Sequence, residues 1–291
     1  MKIAVVGPGA MGCLFAARLA KAGNDITLVD YKQERTARLA ASGISVETAD
    51  GMIFAKPKLS MTVPHNVELV LVLVKAYATI HLTLNSRTPV LSLQNGLGNV
   101  ETLCSLVGSA NLMAGVTSEA ATLLEDGRVR HAAPGITRFG AWTSCPTGPT
   151  AKVLANAGFT IELTESPGQV IWEKVAVNAG INPVTALVNA PNGIMLEVPE
   201  LRQLMRDLVV EAVKVAATEG YRFETSVVEV AEQTCADTAT NISSMLQDVR
   251  AGRTTEIDAI SGEIVRRAQL SALPTPRTRV IWQLLKGMER R

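Results

Sequence analysis

Three polar residues punctuate an otherwise apolar stretch, WEKVAVNAGINPVTAL, from Trp172 to Leu187. Lys174, Asn178 and Asn182 stand at i, i+4 and i+8. At ~100° per residue, each four-residue step advances about 40° around a helix, so all three point to one side. One cation and two amides on one stripe suit a polar, anionic small molecule better than a core face. The same residues could instead be a snorkelling lysine and two cap or bend asparagines. A second reactive pattern lies at the other end of the chain. Lys2 to Val6 is a short β-branched run, followed by Gly-Pro-Gly-Ala-Met-Gly with Gly7, Gly9 and Gly12 at G-x-G-x-x-G spacing. The chemistry this spacing serves is dinucleotide binding.

Elements must position both patterns. Lys2 to Val6 reads as a buried parallel strand, Ala10 to Ala22 as a helix ending at Gly23, and Ile26 to Val29 as the second strand of a βαβ unit. Gly7 allows the tight turn, Gly9 lets backbone approach a pyrophosphate, and Gly12 lets helix pack on strand. The first helical turn, with Ala10 and Met11, offers amides and positive potential to phosphates. Asp30 follows the second strand, where an acidic residue meets a ribose hydroxyl. Val67 to Val74 is the next strand, ending in Lys75, and Pro89 to Leu93 another, ending in Gln94-Asn95-Gly96. Ligands of open α/β sheets bind at the carboxyl ends of strands, which places Lys75 and Asn95 near cofactor or substrate. A solvated lysine and a turn asparagine are the alternatives.

Val116 to Leu124, Arg128 to Ala132 and Ile136 to Gly140 read as antiparallel strands finishing the sheet, followed by a helix over Pro146 to Ala157 and an edge strand over Thr160 to Leu163. A composition shift at Ser166-Pro167-Gly168 sets the boundary between a nucleotide-binding domain, residues 1–166, and a helical domain, residues 167–291. The fold class is therefore α/β, a Rossmann-type domain followed by an all-α domain. Asn182-Pro183 is expected to end or kink the site-bearing helix, leaving Asn182 at a helix end. Amphipathic helices follow from Glu200 to Gly220, Ser226 to Asp237, Ser243 to Ala251, Glu256 to Ala272 and Thr278 to Glu289.

The 291 residues suit two domains. With 28 basic and 27 acidic residues and 4% aromatics, the chain has neither the field nor the stacking surface of a nucleic-acid or membrane-surface protein. Cys13, Cys104, Cys145 and Cys235 are scattered without metal-ligand or disulfide spacing, which fits a reducing cytosol. Cys13 at a helix start could be a stabilised thiolate, but a small buried thiol is the preferred reading. No apolar run reaches a membrane span. The C-terminal helices could pack within one chain or against a twin, so a homodimer is carried as an expectation.

Taken together these motifs resemble the ketopantoate reductase (2-dehydropantoate 2-reductase) family. The matching pieces are GPGAMG, VKAYAT at Val74 to Thr79, QNGLGNVE at Gln94 to Glu101, RHAAPGITRFG at Arg130 to Gly140, the Lys174 stretch, and SSMLQDVRAGRTTEIDAISG from Ser243. The resemblance implies a reductase with its active site in the cleft between the two domains, acting on a small 2-keto acid. It implies Lys174 as general acid, Asn178 and Asn182 on the substrate's polar groups, Ser244 on its carboxylate with Asn241 beside it, and Glu256 hydrogen-bonding at the active centre. Asn95 and Lys75 fall on the cofactor side, near nicotinamide and ribose, with Asn95 also within substrate reach. The chemistry agrees: hydride delivery to a ketone leaves a developing alkoxide, which a positioned ammonium stabilises and protonates. The implied cofactor is NADP(H). Asp30 departs from that pattern, since an aspartate there favours NAD(H), while Lys32 or Arg35 could accept a 2′-phosphate if Asp30 turns away. Reduction of another 2-keto acid and a non-catalytic dinucleotide sensor are the competing expectations.

Overall fold

Strand β1, Lys2–Val6, is buried from Ile3 onward, as a β-branched run in the middle of a parallel sheet must be. The computed structural model to which it belongs describes residues 1–289. It forms two units, one of Met1–Gln94 with Asn99–Gly168, the other of Asn95–Gly98 with the chain from Gln169 onward.

In the first unit β1 leads through α1, Ala10–Lys21, to β2, Asp25–Val29. Then come α2, Gln33–Ser42; the hairpin β3, Ile44–Thr48, and β4, Gly51–Ala55; β5, Lys58–Ser60; β6, Leu69–Val72; β7, Val90–Ser92; and α3, Asn99–Val107. The unit closes with β8, Leu112–Thr117; β9, Ala120–Glu125; β10, Arg128–Ala133; β11, Ile136–Ala141; α4, Gly148–Asn156; and β12, Thr160–Leu163. The main sheet runs β12-β11-β8-β7-β6-β1-β2-β5. Its stretch from β5 to β8 is all parallel, and the order β5-β2-β1-β6-β7-β8 is that of a doubly wound Rossmann sheet. β6 is shorter than the Val67–Val74 apolar run, although backbone bonds from Glu68 and Leu73 to the Lys2 and Val6 carbonyls continue its pairing.

The expected antiparallel finish to this sheet holds only for β11, which runs antiparallel to β8. The run read as one strand from Val116 is broken at Ser118-Glu119. Glu119 is a buried carboxylate, bonded to His131 at 2.5 Å with Arg18 nearby at 3.9 Å. A strand cannot carry that group through a purely apolar layer, and beyond it the chain leaves the main sheet. β9 and β10 instead join the β3–β4 hairpin in a second sheet, ordered β4-β3-β10-β9. Its Val46, Val129 and Ile53 lie in the same apolar core as Leu14 and Phe15 of α1.

The second unit is helical. It holds α5, Pro167–Val188, from Gln169; α6, Ile194–Glu197; α7, Pro199–Thr218; α8, Val227–Asp237; α9, Ser244–Arg250; α10, Glu263–Leu270; and α11, Pro276–Glu289. A π-helical turn, Asp258–Gly262, leads into α10. α5 runs through Pro183 rather than ending before it, so Asn182 lies inside the helix and not at its end. Ile181, Val184, Thr185 and Ala186 are at most 2% exposed, and this tertiary burial outweighs the lost backbone bond at proline. α5 and α7 approach closely at Gly180, where a Cβ would meet Val209 at 2.7 Å. Trp172, 1% exposed, fixes the early turns of α5 by donating to Glu219 at 3.2 Å beneath the Arg267 guanidinium.

Candidate active site

The glycine loop follows β1 directly. Gly7 has φ +105° and its Cβ would strike Val74 at 2.8 Å, so only glycine fits. A Cβ on Gly12 would sit 1.8 Å from the Gly7 carbonyl oxygen, so loop and helix pack at that point. Gly9 is different: a Cβ there meets nothing within 4 Å. The space over Gly9 is thus open beside the N-terminus of α1, whose first amides are donors, a cradle that fits a pyrophosphate. Cys13, one turn on, is a buried thiol bonded to the Pro8 carbonyl, and burial pushes its pKa up to about 12. It is an inert packing group, not a thiolate.

Asp30 ends β2 with 2% exposure, and Arg35 from α2 grips it with both arms, Nε–Oδ2 2.5 Å and Nη2–Oδ1 2.7 Å. The bonds to Asp30 hold the Arg35 guanidinium above its ordinary pKa. Lys32 is exposed beside Tyr31. At the carboxyl ends of β6 and β7 a buried polar chain braces the strands. Gln94 donates to the Val74 carbonyl at 2.9 Å and to Thr79 Oγ1 at 2.7 Å, and Thr79 donates to Asn99 at 3.0 Å. Lys75, half-buried, lies between Val74 and Thr79 and precedes a 3₁₀ turn, Ala76–His81. Gln94 stood unread in the sequence, although it adjoins Asn95.

In the helical unit α5 carries Lys174 and Asn178 half-buried and Asn182 buried, along a stripe of about 12 Å at 1.5 Å per residue. Desolvation lowers the Lys174 pKa from 10.5 to about 8, against the pull of Glu256, which favours the ammonium. Glu256 is 5% exposed and accepts a 3.2 Å bond from Asn95 Nδ2. Asn95 stands here because its loop belongs to this unit: Leu97 N–H donates to the Ala259 carbonyl at 2.8 Å, within the π turn. π turns interrupt the α-helical ladder and recur at functional sites.

The other end of the stripe meets α9. Ser243 caps α9 by accepting from the Leu246 amide, and its hydroxyl also accepts from Thr185 Oγ1 at 2.8 Å. That bond fastens the start of α9, where Ser244 stands exposed, to Thr185, about one turn beyond Asn182 on α5. Asn241 is exposed just before this cap, its backbone N–H donating to the Thr238 carbonyl at 2.8 Å. Thus Lys174, Glu256 and Asn95 gather near one end, and Asn182, Ser243 and Ser244 at the other. In the sequence Ser243 stood only at the start of a helix, and its tie to Thr185 needed the packing to be seen.

A doubly wound sheet with a glycine cradle, joined in sequence to helices bearing a desolvated lysine and its glutamate, defines a two-unit, dinucleotide-binding oxidoreductase. Comparison with known proteins narrows the class. Residues 3–144 match the family Ketopantoate reductase PanE/ApbA, and residues 168–289 match Ketopantoate reductase PanE/ApbA C terminal. The chain belongs to the ketopantoate reductase family. It is similar to a 2-dehydropantoate 2-reductase of Halobacterium salinarum, 35% identical with 100% of this chain and 99% of that one covered. Among solved structures it resembles a PanE/ApbA family ketopantoate reductase from Ralstonia eutropha JMP134, TM-score 0.90 at 29% identity, covering 100% and 99% of the two chains. It equally resembles a D-mandelate dehydrogenase in complex with NADH and anilino(oxo)acetate, TM-score 0.92 at 25% identity, again covering 100% and 99%. The relatives thus point to a nicotinamide dinucleotide as the cofactor class. No helix among the described residues is long and apolar enough to cross a membrane.

Proposed function

We propose that this chain is a 2-dehydropantoate 2-reductase that converts ketopantoate to pantoate, in the cytosol, with NADPH as preferred reductant. The observation that carries the reading is the half-buried Lys174 on an apolar helix, lowered to about 8 and supported by Glu256, in a chain aligned end to end with enzymes of that name. Residues 1–166 hold the cofactor and residues 167–291 the substrate. Gly7, Gly9, Ala10, Met11 and Gly12 would hold the pyrophosphate, Asp30 and Lys32 would meet the adenosine ribose, and Lys75 and Asn95 would serve the nicotinamide half. Bound there, the cofactor supplies a hydride to C2 of the keto acid. Lys174 Nζ gives its proton to the ketone oxygen as charge develops there, a task suited to an ammonium of pKa near the working pH. Glu256 keeps Lys174 protonated and Asn95 aligned. Asn178 and Asn182 bind the substrate's polar groups without adding charge, Ser244 takes its carboxylate, and Asn241 contacts it beside Ser244. The Asp30–Arg35 pair supports the NADPH preference, because Arg35 neutralises the carboxylate that would repel a 2′-phosphate.

Steady-state oxidation of NADPH and of NADH by the purified protein with ketopantoate tests this, with Lys174→Ala as control. Turnover lost in the variant supports both reaction and proton donor. Near-full turnover by Lys174→Ala removes Lys174 from the mechanism. A second reading, reduction of a bulkier 2-keto acid with NADH, is favoured by the likeness to the D-mandelate dehydrogenase. A panel of branched and aromatic 2-keto acids separates the two.

A further inference from the structure

The residues flanking Glu256 are held from one helix. Glu289 of α11 accepts both the Thr255 amide, at 2.8 Å, and the Thr255 hydroxyl, at 2.7 Å, on one oxygen. Its other oxygen takes Lys286 Nζ at 3.0 Å. Lys286 reaches on to Asp258 Oδ2 at 2.8 Å, and Trp282 donates to Asp258 Oδ1 at 2.8 Å. Three residues of α11 therefore grip the position before Glu256 and the second position after it. Thr255 Oγ1 also accepts the Ile257 amide at 3.2 Å, closing the turn around Glu256. Burial works against the Glu289 carboxylate, yet the Thr255 bonds and Lys286 hold its pKa below the ordinary value. So Glu289 stays ionised and its grip is charge-assisted.

We propose that α11 is a positioning element for the site: Glu289, backed by Lys286 and Trp282, fixes the Thr255–Asp258 turn and thereby where the Glu256 carboxylate stands relative to Lys174. Glu289 touches no reacting atom in this scheme. It acts through Thr255 on Glu256, and through Glu256 on Lys174 and Asn95. The inference rests on the reading of Lys174 as proton donor, but its test does not depend on turnover. Carboxylates placed loosely are weaker partners than those held, because Coulomb attraction falls with distance and with the water admitted.

The experiment titrates Lys174 by ¹³C-lysine NMR in the full-length protein, with Lys174→Arg assigning the signal, alongside kcat against pH. The wild type should titrate near 8. Glu289→Ala should move that midpoint and the alkaline limb of kcat down by about half a unit or more, and lower kcat at pH 8 by roughly tenfold, with KM for the cofactor unchanged. Glu289→Gln keeps an oxygen for both Thr255 donors but loses the charge and turns its Nε2 toward Lys286, so its midpoint should fall between those of the wild type and Glu289→Ala. Should Glu289→Ala not fold, Thr255→Val removes the same side-chain bond at constant shape and carries the same expectation. A folded Glu289→Ala or Thr255→Val protein with the wild-type midpoint and pH profile overturns the proposal. A wild type that reduces no 2-keto acid defeats the functional reading instead, and the NMR midpoints still decide this one.

Discussion

Asn95 and Glu256, 161 positions apart in sequence, share a 3.2 Å hydrogen bond in which the amide Nδ2 donates to the carboxylate. The contact assigns the Asn95 amide orientation, because of its two ends only Nδ2 can donate to a carboxylate oxygen. Replacing Asn95 by aspartate would set two carboxylates against each other, and one of them would take up a proton. Asn95→Asp should lower kcat by about tenfold or more at pH 8 and recover part of that loss toward pH 6, whereas Asn95→Ala should show a loss independent of pH. Parallel profiles for the two variants would remove the electrostatic argument.

Lys174 sits where its charge costs stability. Its folded pKa of about 8 is below the ordinary 10.5. Below pH 8 both folded and unfolded chains carry the proton, and the full penalty of holding the ammonium is present. Between pH 8 and 10.5 the unfolded chain binds a proton that the folded one does not, so this group's contribution to stability rises with pH. Lys174→Met should abolish turnover and stabilise the protein at pH 7 by about 2–3 kcal/mol, the advantage fading above pH 10. Chemical denaturation of both proteins at pH 7 and 10 measures it, and a destabilised Lys174→Met at pH 7 contradicts it. If Lys174 is the proton donor as proposed, wild-type kcat should fall as pH rises through about 8.

Arg35→Ala should change cofactor choice and stability together. Asp30 is buried and its bidentate partner is mostly so. Arg35→Ala leaves a buried carboxylate unpaired and should cost about 2–4 kcal/mol of stability. The same change should cut kcat/KM for NADPH by about tenfold or more while leaving NADH nearly untouched, since the freed Asp30 now repels a phosphate and accepts a ribose hydroxyl. Kinetics with both cofactors and a denaturation curve check the two halves separately.

What the sequence made legible follows from how local each signal is. The βαβ unit and its glycine loop were readable because a short strand, a fixed spacing and a helix lie within about 30 residues, and the strand-end positions of Lys75 and Asn95 because each follows an apolar run that stops at a polar residue. The helical second half was readable from periodicity. The second sheet was not, because β3 and β4 are short and pair with β10, whose run beside Glu119 looked like part of the main sheet. A cue existed in Asp50-Gly51, a turn pair between alternating runs. The passage of α5 through Pro183 was hidden because tertiary burial overrode a local rule. Lys174, Asn178 and Asn182 could be grouped by spacing alone, but their link to Ser243 and to Glu256 depends on contacts 58 or more residues apart.

Gly96 is where the Asn95 loop is most exposed to a single change. It has φ +85°, and a Cβ there would meet the Ala259 Cβ and carbonyl oxygen at 2.7 Å each. Strain from the left-handed backbone and a clash with backbone atoms that cannot rotate away act together. Gly96→Ala should push the loop off the π turn, break the bond from Leu97 N–H to Ala259, and draw Asn95 away from Glu256. The expected outcome is a kcat loss of about tenfold or more with a stability loss of about 1–3 kcal/mol. Gly23, with a similar φ of +85° but nothing within 4 Å of its Cβ, makes the control. Gly23→Ala meets the same backbone strain without the clash, so it should lose comparable backbone stability and keep its kcat. Equal kcat losses in the two variants would mean that overall destabilisation, and not the seat of the Asn95 loop on Ala259, lowers kcat.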